Sequence, residues 1–271
     1  MIPKIIHYCW FGKGEKSNLI KQCIKSWKEY CPDYQIIEWN EGNFDVSIHD
    51  YIKVAYENKY WAFVSDYARL KIIYENGGIY LDTDVELIKS LDCLLEDKFF
   101  CGFELPNRLN TGIGFGAEKN SFLTRKMLEE YDNVNFINFD GSLNKVPCTF
   151  YNSNALVKQG ALLNNTLQKT STFTIYPTDF FSPKSYETGF VDMTKNTVSI
   201  HHFESSWEDI KSLSKKRKQH QICNFFGVYI GTKIIYIIDL FGVVRKKGIF
   251  GIIKGSYRRL GRAFNLIVNK K

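Results

Sequence analysis

An α/β fold with a Rossmann-like, mostly parallel central sheet flanked by helices is what the sequence predicts, on three observations. Short apolar strands alternate with amphipathic helices from Ile5 onward. The first strand–helix–strand passage spans about 40 residues, the length of a βαβ unit. Ile79-Tyr80-Leu81 is uniformly apolar, as a strand buried on both faces requires, and it runs directly into Asp82-Thr83-Asp84.

Taken in order, Ile5 to Phe11 reads as a first buried strand, ended by Gly12 and a polar loop. Ser17 is the expected N-cap of a helix whose apolar positions Leu19, Ile20, Cys23, Ile24 and Trp27 follow helical spacing. Pro32-Asp33 breaks it, and Tyr34 to Trp39 forms the second strand, with Asn40 to Asn43 as a loop. Helices follow over Asp50 to Tyr56 and Tyr60 to Asn76, the latter with Gly77 where a left-handed C-terminal cap is wanted. After the Ile79 strand, further strands are expected at Phe99 to Phe103, Gly112 to Gly116, Phe173 to Tyr176 and Val198 to His202. Helices are expected at Ser121 to Glu130 and Ser153 to Leu163.

The 271 residues suffice for one sizeable α/β domain plus an appendage. Charge divides them. Residues 211–271 hold 15 Lys/Arg and one acid, a balance of +14, so the net +7 leaves −7 on the remainder. A domain over residues 1–210 and a basic helical extension over 211–271 follow. Seven cysteines with no C-x-x-C pair argue against a disulfide framework or zinc site. The start at Met1-Ile2-Pro3-Lys4 carries no secretory leader pattern, so a reducing, cytoplasmic setting is expected.

Strand alternation would put Asp82 and Asp84 on one side, at the carboxyl end of a buried strand where open α/β sheets bind ligands. Two carboxylates there require neutralisation, and Mg²⁺ or Mn²⁺ completed by water and a diphosphate meets that requirement. A bare Asp-x-Asp is also a common solvated turn. The adjacent helix carries Ser65-Asp66-Tyr67-Ala68-Arg69, with Asp66 and Arg69 on one face, suited to gripping vicinal sugar hydroxyls or to forming a surface ion pair.

Ile2 to Gly12, Ser65 to Arg69 and Gly77 to Glu86, in that order and spacing, resemble glycosyltransferase family 32, which is related to the catalytic domains of the clostridial glucosylating toxins. The likeness covers roughly the first 120 residues closely. It implies a GT-A fold, a Mn²⁺ or Mg²⁺ cofactor, a nucleotide-sugar donor (a UDP-sugar foremost) and retention of anomeric configuration. Bacterial capsule and O-antigen transferases in that family imply a lipid-linked oligosaccharide acceptor at the inner face of the cytoplasmic membrane. By the same resemblance Trp10 would stack on the nucleobase, Asn40 would meet the nucleoside, and Asp66 and Arg69 would hold the donor sugar. Asp82 would face ribose and metal-bound water, and Asp84 would ligate the metal. His202, Ser205 and Trp207 fall on the spacing of the toxins' acid, serine and tryptophan. They would close the metal–diphosphate site, with Trp207 donating to the β-phosphate. The sequence does not decide between His201 and His202 at the metal. Asn110 would line the β-face of the sugar.

The extension alternates the Lys215-Lys216-Arg217-Lys218 cluster with apolar stretches at Ile234 to Val244, Ile249 to Ile253 and Leu260 to Val268. Lys233 and Asp239 interrupt the longest, so an interfacial segment on an anionic membrane is expected rather than a clean span. A helical cover for the catalytic domain remains the alternative. A nucleic-acid-binding role for the basic tail leaves Asp66, Asp82 and Asp84 without purpose, and no nucleic-acid partner is expected. A metal-dependent phosphotransferase or nuclease would use the same acids, but the chain has no P-loop.

Overall fold

The computed structural model describes the backbone of residues 1–204 and 210–268 and the side chains of 1–204 and 211–242. In chain order the elements begin β1 (Ile5–Cys9), α1 (Asn18–Tyr30), β2 (Gln35–Trp39), α2 (Asp50–Glu57), α3 (Trp61–Asn76), β3 (Gly78–Tyr80) and β4 (Val85–Leu87). Next come β5 (Phe99–Leu105), β6 (Arg108–Asn110), β7 (Phe115–Ala117), α4 (Phe122–Glu129), α5 (Cys148–Val157), β8 (Gln168–Lys169) and β9 (Thr174–Tyr176). The series ends with α6 (Thr178–Phe181), β10 (Ser199–His201) and α7 (Ile210–Val268).

The main sheet runs β2-β1-β3-β7-β5-β9-β8, with β6 paired to β5. Parallel pairing joins β1 to β2, β1 to β3 and β5 to β9, whereas β7 lies antiparallel between β3 and β5. Strands β2, β1, β3, β5 and β9 therefore all point one way, giving the mostly parallel α/β sheet that the alternation of elements predicts. Each face has its own core. Tyr80, Phe99, Cys101 and Phe115 pack with Val64, Ala68 and Ile72 of α3, while Ile79, Phe100 and Tyr176 pack with Trp27 of α1 and Phe181 of α6. The side-chain period of two along each strand divides these residues between the faces.

Local chemistry explains the helix limits. Ser17 Oγ accepts from Ile20 N and Ser121 Oγ from Thr124 N, as N-caps do. Three expectations change. Helix α5 starts at Cys148, because Pro147 supplies its N-cap backbone, five residues before the expected Ser153. Of the expected Gly112–Gly116 strand only the end is extended: β7 starts at Phe115, and residues 111–114 bend between it and β6. Gly77 does take positive φ (70°), but its ψ of −172° lies outside the left-handed helical cap.

A second, two-stranded sheet pairs β4 antiparallel with β10, matching His201 to Val85. Helix α1 holds β4 from behind: Trp27 Nε1 donates to Val85 O at 2.7 Å, and Leu87 N donates to Ser26 Oγ at 2.9 Å. By packing, the chain forms two units, residues 1–184 with 191–209, and residues 185–190 with 210–271. The second unit includes a short loop, 185–190, that the expected boundary near Lys211 leaves out.

Candidate active site

Strand β3 ends at Tyr80, and Asp82-Thr83-Asp84 forms the turn into β4, with Asp82 N donating to Gly112 O (2.7 Å) and Val85 N to Asp82 O (3.0 Å). The strand alternation expected to put both acids on one side therefore does not operate. A turn directs each carboxylate to its own partners instead.

Asp82 faces α3. Arg69 Nη2 lies 3.0 Å from Asp82 Oδ1 and 2.9 Å from Asp66 Oδ1, so one guanidinium joins both carboxylates. Arg69 is held by its Nε donating to Ser65 O (3.2 Å) and by its position 5.0 Å from the Tyr80 ring centroid, while Tyr80 Oη donates to Asp82 Oδ1 at 3.1 Å. Asp66 is buried; desolvation drives its carboxyl up to about 6, against the lowering charge of Arg69. Arg69 and Asp66 thus form an enclosed ion pair rather than a surface one.

Asp84 faces β10. Its buried carboxylate accepts from Glu204 N at 2.8 Å, and His201 Nε2 lies 3.4 Å from Asp84 Oδ2. Desolvation opposes the charge of Asp84, but the His201 imidazolium and these hydrogen bonds outweigh it and bring the carboxyl down to about 2. The converse holds for His201: burial lowers it, and Asp84 prevails, pushing it up to about 9. Of the two histidines, His201 is the one that stands beside Asp84. Adjacent strand residues point to opposite faces, and the His202 Nε2 pairs with Glu86 Oε2 at 2.7 Å.

Further side chains bridge the two acids. His201 Nδ1 lies 3.5 Å from Glu104 Oε1, which accepts from Asn110 Nδ2 at 2.8 Å. Asn110 Oδ1 accepts from Gly112 N (2.7 Å) and from the Cys148 thiol (3.7 Å), and Arg69 Nη1 reaches the Cys148 sulfur at 3.7 Å. Asn110 therefore sits in the centre of the cluster. Glu104, Cys148 and Tyr80 are members that sequence reasoning missed; Tyr80, adjoining the Asp-x-Asp turn, was the most legible.

Trp10 and Asn40 stand apart from this cluster. Trp10 Nε1 donates to Gly14 O at 2.8 Å, and Lys16 Nζ lies 5.0 Å from its ring centroid. Asn40 Oδ1 caps its own loop by accepting from Gly42 N at 2.8 Å, and its amide donates to Glu38 at 3.2 Å. Ser205 and Trp207, expected to close the site, lie outside the described residues.

Two observations bear on a divalent cation. The oxygen donors Asp82 and Asp84 and the nitrogen of His201 suit Mg²⁺ or Mn²⁺. Buried His201 Nδ1 makes no hydrogen bond and has only the 3.5 Å approach of Glu104 Oε1, so it keeps unused coordinating capacity. Among the described residues no three such groups converge as a preassembled metal cage. The residues fit a cation whose shell substrate oxygens complete.

Residues 17–100 match the family model described as a glycosyltransferase sugar-binding region containing a DXD motif. The chain is 31% identical over 134 residues to inositol phosphoceramide mannosyltransferase 3 of Schizosaccharomyces pombe, covering 45% of this chain and 35% of that protein. It is 27% identical over 252 residues to the mannosyl phosphorylinositol ceramide synthase of Saccharomyces cerevisiae, covering 87% of this chain and 60% of the relative. The chain thus spans less than two thirds of the length of either. Among solved structures the PaToxG glycosyltransferase aligns over 59% of this chain and 69% of its own, at 21% identity and a TM-score of 0.47, short of agreement that establishes a common fold. Residues 17–100, which contain Asp66, Arg69, Asp82 and Asp84, match the DXD-type sugar-binding region of glycosyltransferases, and a glycosyltransferase is what these likenesses support.

Proposed function

We propose that this protein is a retaining, metal-dependent glycosyltransferase of GT-A type that moves a hexose or N-acetylhexosamine from a nucleotide-sugar, a UDP-sugar foremost, to a glycan acceptor. The acceptor in this reading is a lipid-linked oligosaccharide at the cytoplasmic face of a membrane. The observation that carries the proposal is the Asp66–Arg69–Asp82 ion-pair chain beside Asp84–His201, because it joins a sugar-binding pair to a metal-binding acid.

In this reading Arg69 orients both carboxylates, so Asp66 is fixed to accept donor-sugar hydroxyls while Asp82 faces the ribose side. Asp82, Asp84 and His201 would hold Mn²⁺ or Mg²⁺, which supplies positive charge to the departing diphosphate. As a metal ligand His201 would have to be neutral, so binding would be weakened by its protonation. Asn110, fixed by Glu104 and Gly112, presents an amide beside the acids, and same-face attack by the acceptor accounts for retention without a carboxylate nucleophile. The Schizosaccharomyces pombe relative is an inositol phosphoceramide mannosyltransferase, so GDP-mannose belongs among the donors to be tried.

The test is thermal stability with UDP, GDP and CMP, each with and without Mn²⁺, since a ligand selective for the native state raises apparent stability. A manganese-dependent rise with one nucleoside diphosphate is expected. No rise with any of them would overturn the reading.

A further inference from the structure

The long helical segment α7 is not one rod. Residues 24 apart in a continuous helix would be separated by about 36 Å at 1.5 Å per residue, yet Lys215 Nζ lies 2.8 Å from Asp239 Oδ1. A Cβ on Gly231 would come 2.7 Å from Cys223 Cα. Both pairs are symmetric about Gly227, whose φ is +75°. The chain therefore reverses at Gly227 into an αα-hairpin, and glycine is what allows the reversal there. Gly231, lacking a side chain, lets the second arm close against Cys223, which is buried.

This changes the meaning of the apolar stretch. By length and composition Lys211–Gly242 would suffice to cross a membrane as a single helix, which the sequence reading did not expect. Folded at Gly227, its first arm from Lys211 is about 24 Å long, short of a hydrocarbon core of about 30 Å. That arm also contains Lys215, Lys216, Arg217 and Lys218. That first arm is suited to lie in an interface rather than to span.

The tip shows the matching surface. Phe225 is 81% exposed and Tyr229 73%, with Phe226 and Ile230 also exposed beside the turn, and Tyr236 and Phe241 exposed further along the second arm. Contiguous exposed apolar area of this kind marks an interaction surface. Lys233 reaches back to donate to Tyr229 Oη at 2.8 Å, so its charge rises alongside the aromatic rather than interrupting the face. Below the tip stand Arg217 and Lys218, in an extension with 15 cationic residues and one acid, and that acid is already paired with Lys215. Aromatics at the tip with the exposed Arg217 and Lys218 behind them complement an anionic headgroup layer over an acyl boundary.

We infer that the Gly227 hairpin tip is a membrane-docking element: Phe225, Phe226, Tyr229 and Ile230 enter the interface of an anionic bilayer, and Arg217 and Lys218 engage its headgroups. The inference stands apart from the catalytic reading and fails or survives independently of it.

The test is co-sedimentation of the 271-residue chain with phosphatidylglycerol-containing vesicles against pure phosphatidylcholine. Preferential binding to the anionic vesicles is expected. A Phe225→Ser/Tyr229→Ser variant should bind them about tenfold or more weakly, and an Arg217→Glu/Lys218→Glu variant should lose most of the salt dependence. Should either variant misfold by circular dichroism, hydrogen exchange of the unaltered chain decides: vesicles must slow exchange most around residues 222–232. Equal binding to both vesicle types, unchanged binding by Phe225→Ser/Tyr229→Ser, or protection elsewhere overturns the proposal. So does self-association in solution that the tip substitutions abolish, because a second copy would then be what covers the tip.

Discussion

His201 Nε2 lies 3.4 Å from Asp84 Oδ2, although His201 belongs to β10 and Asp84 to the turn before β4. The β4–β10 pairing brings them together and turns the neighbouring His202 toward Glu86. His201→Gln should therefore lower the rate of donor hydrolysis by about 10²-fold or more, as loss of a site group that meets developing charge does. His202→Gln should lower it less than about tenfold, losing only the outer pair with Glu86. Asp84→Asn should abolish activity even in saturating Mn²⁺. Initial rates of sugar release from the donor measure all three, and the reverse ranking of the histidines would refute the assignment.

Arg69 is nearly inaccessible and serves two carboxylates at once. Arg69→Met leaves Asp66 and Asp82 facing one another uncompensated, a loss of about 3–5 kcal/mol by comparison with other broken buried pairs. Adding Asp66→Asn and Asp82→Asn removes that repulsion. The triple variant should regain much of the stability in denaturant titrations and none of the activity. Recovery of turnover with stability would mean that the cluster only supports the fold.

The sheet and the acidic half of the site were legible because each rests on local signals. Apolar runs of strand length, Ser17 and Ser121 before helical periodicity, and the Asp66/Arg69 spacing are all contained within a turn or two of chain. Strand β4 was not legible: Val85-Glu86-Leu87 is three residues long and is stabilised by Trp27, Ser26 and β10 rather than by its own pattern. For the same reason His201 and His202 could not be ranked, since the strand that orients them was itself invisible. Glu104 and Cys148 reach the site through β5 and α5, and nothing beside them in sequence announces it. The hairpin at Gly227 was hidden because a single glycine between two helical stretches is compatible with a continuous helix.

Gly112 offers a steric test. A Cβ there would sit 2.8 Å from Arg69 Nη1 and inside contact distance of Asp82 Oδ2. Its backbone must approach this closely because Gly112 O accepts from Asp82 N and Gly112 N donates to Asn110 Oδ1. Gly112→Ala should push Asp82 away from Arg69, costing about 1–3 kcal/mol as overpacking does. Donor hydrolysis should fall much further than stability. A variant with normal kinetics would show that Asp82 need not keep its pairing with Arg69.

His7 is a structural histidine, unlike His201 beside Asp84. It lies fully buried within β1, accepts at Nδ1 from Trp39 Nε1 (3.0 Å) and so donates through Nε2 to Gly77 O (3.0 Å). Both contacts are satisfied by the neutral ring, and desolvation takes His7 from its ordinary 6.5 down to about 4, despite the Gly77 contact. The unfolded chain then binds more protons than the native one between those two values. Stability from this group is complete above pH 6.5 and is lost as pH falls toward 4, amounting to about 3 kcal/mol for a gap of this size. His7→Asn should lower stability at neutral pH, because Trp39 and Gly77 lose a well-matched partner. It should also flatten the fall between pH 6.5 and 4 in urea titrations. An unchanged slope in that window would mean that the acid sensitivity arises at other groups.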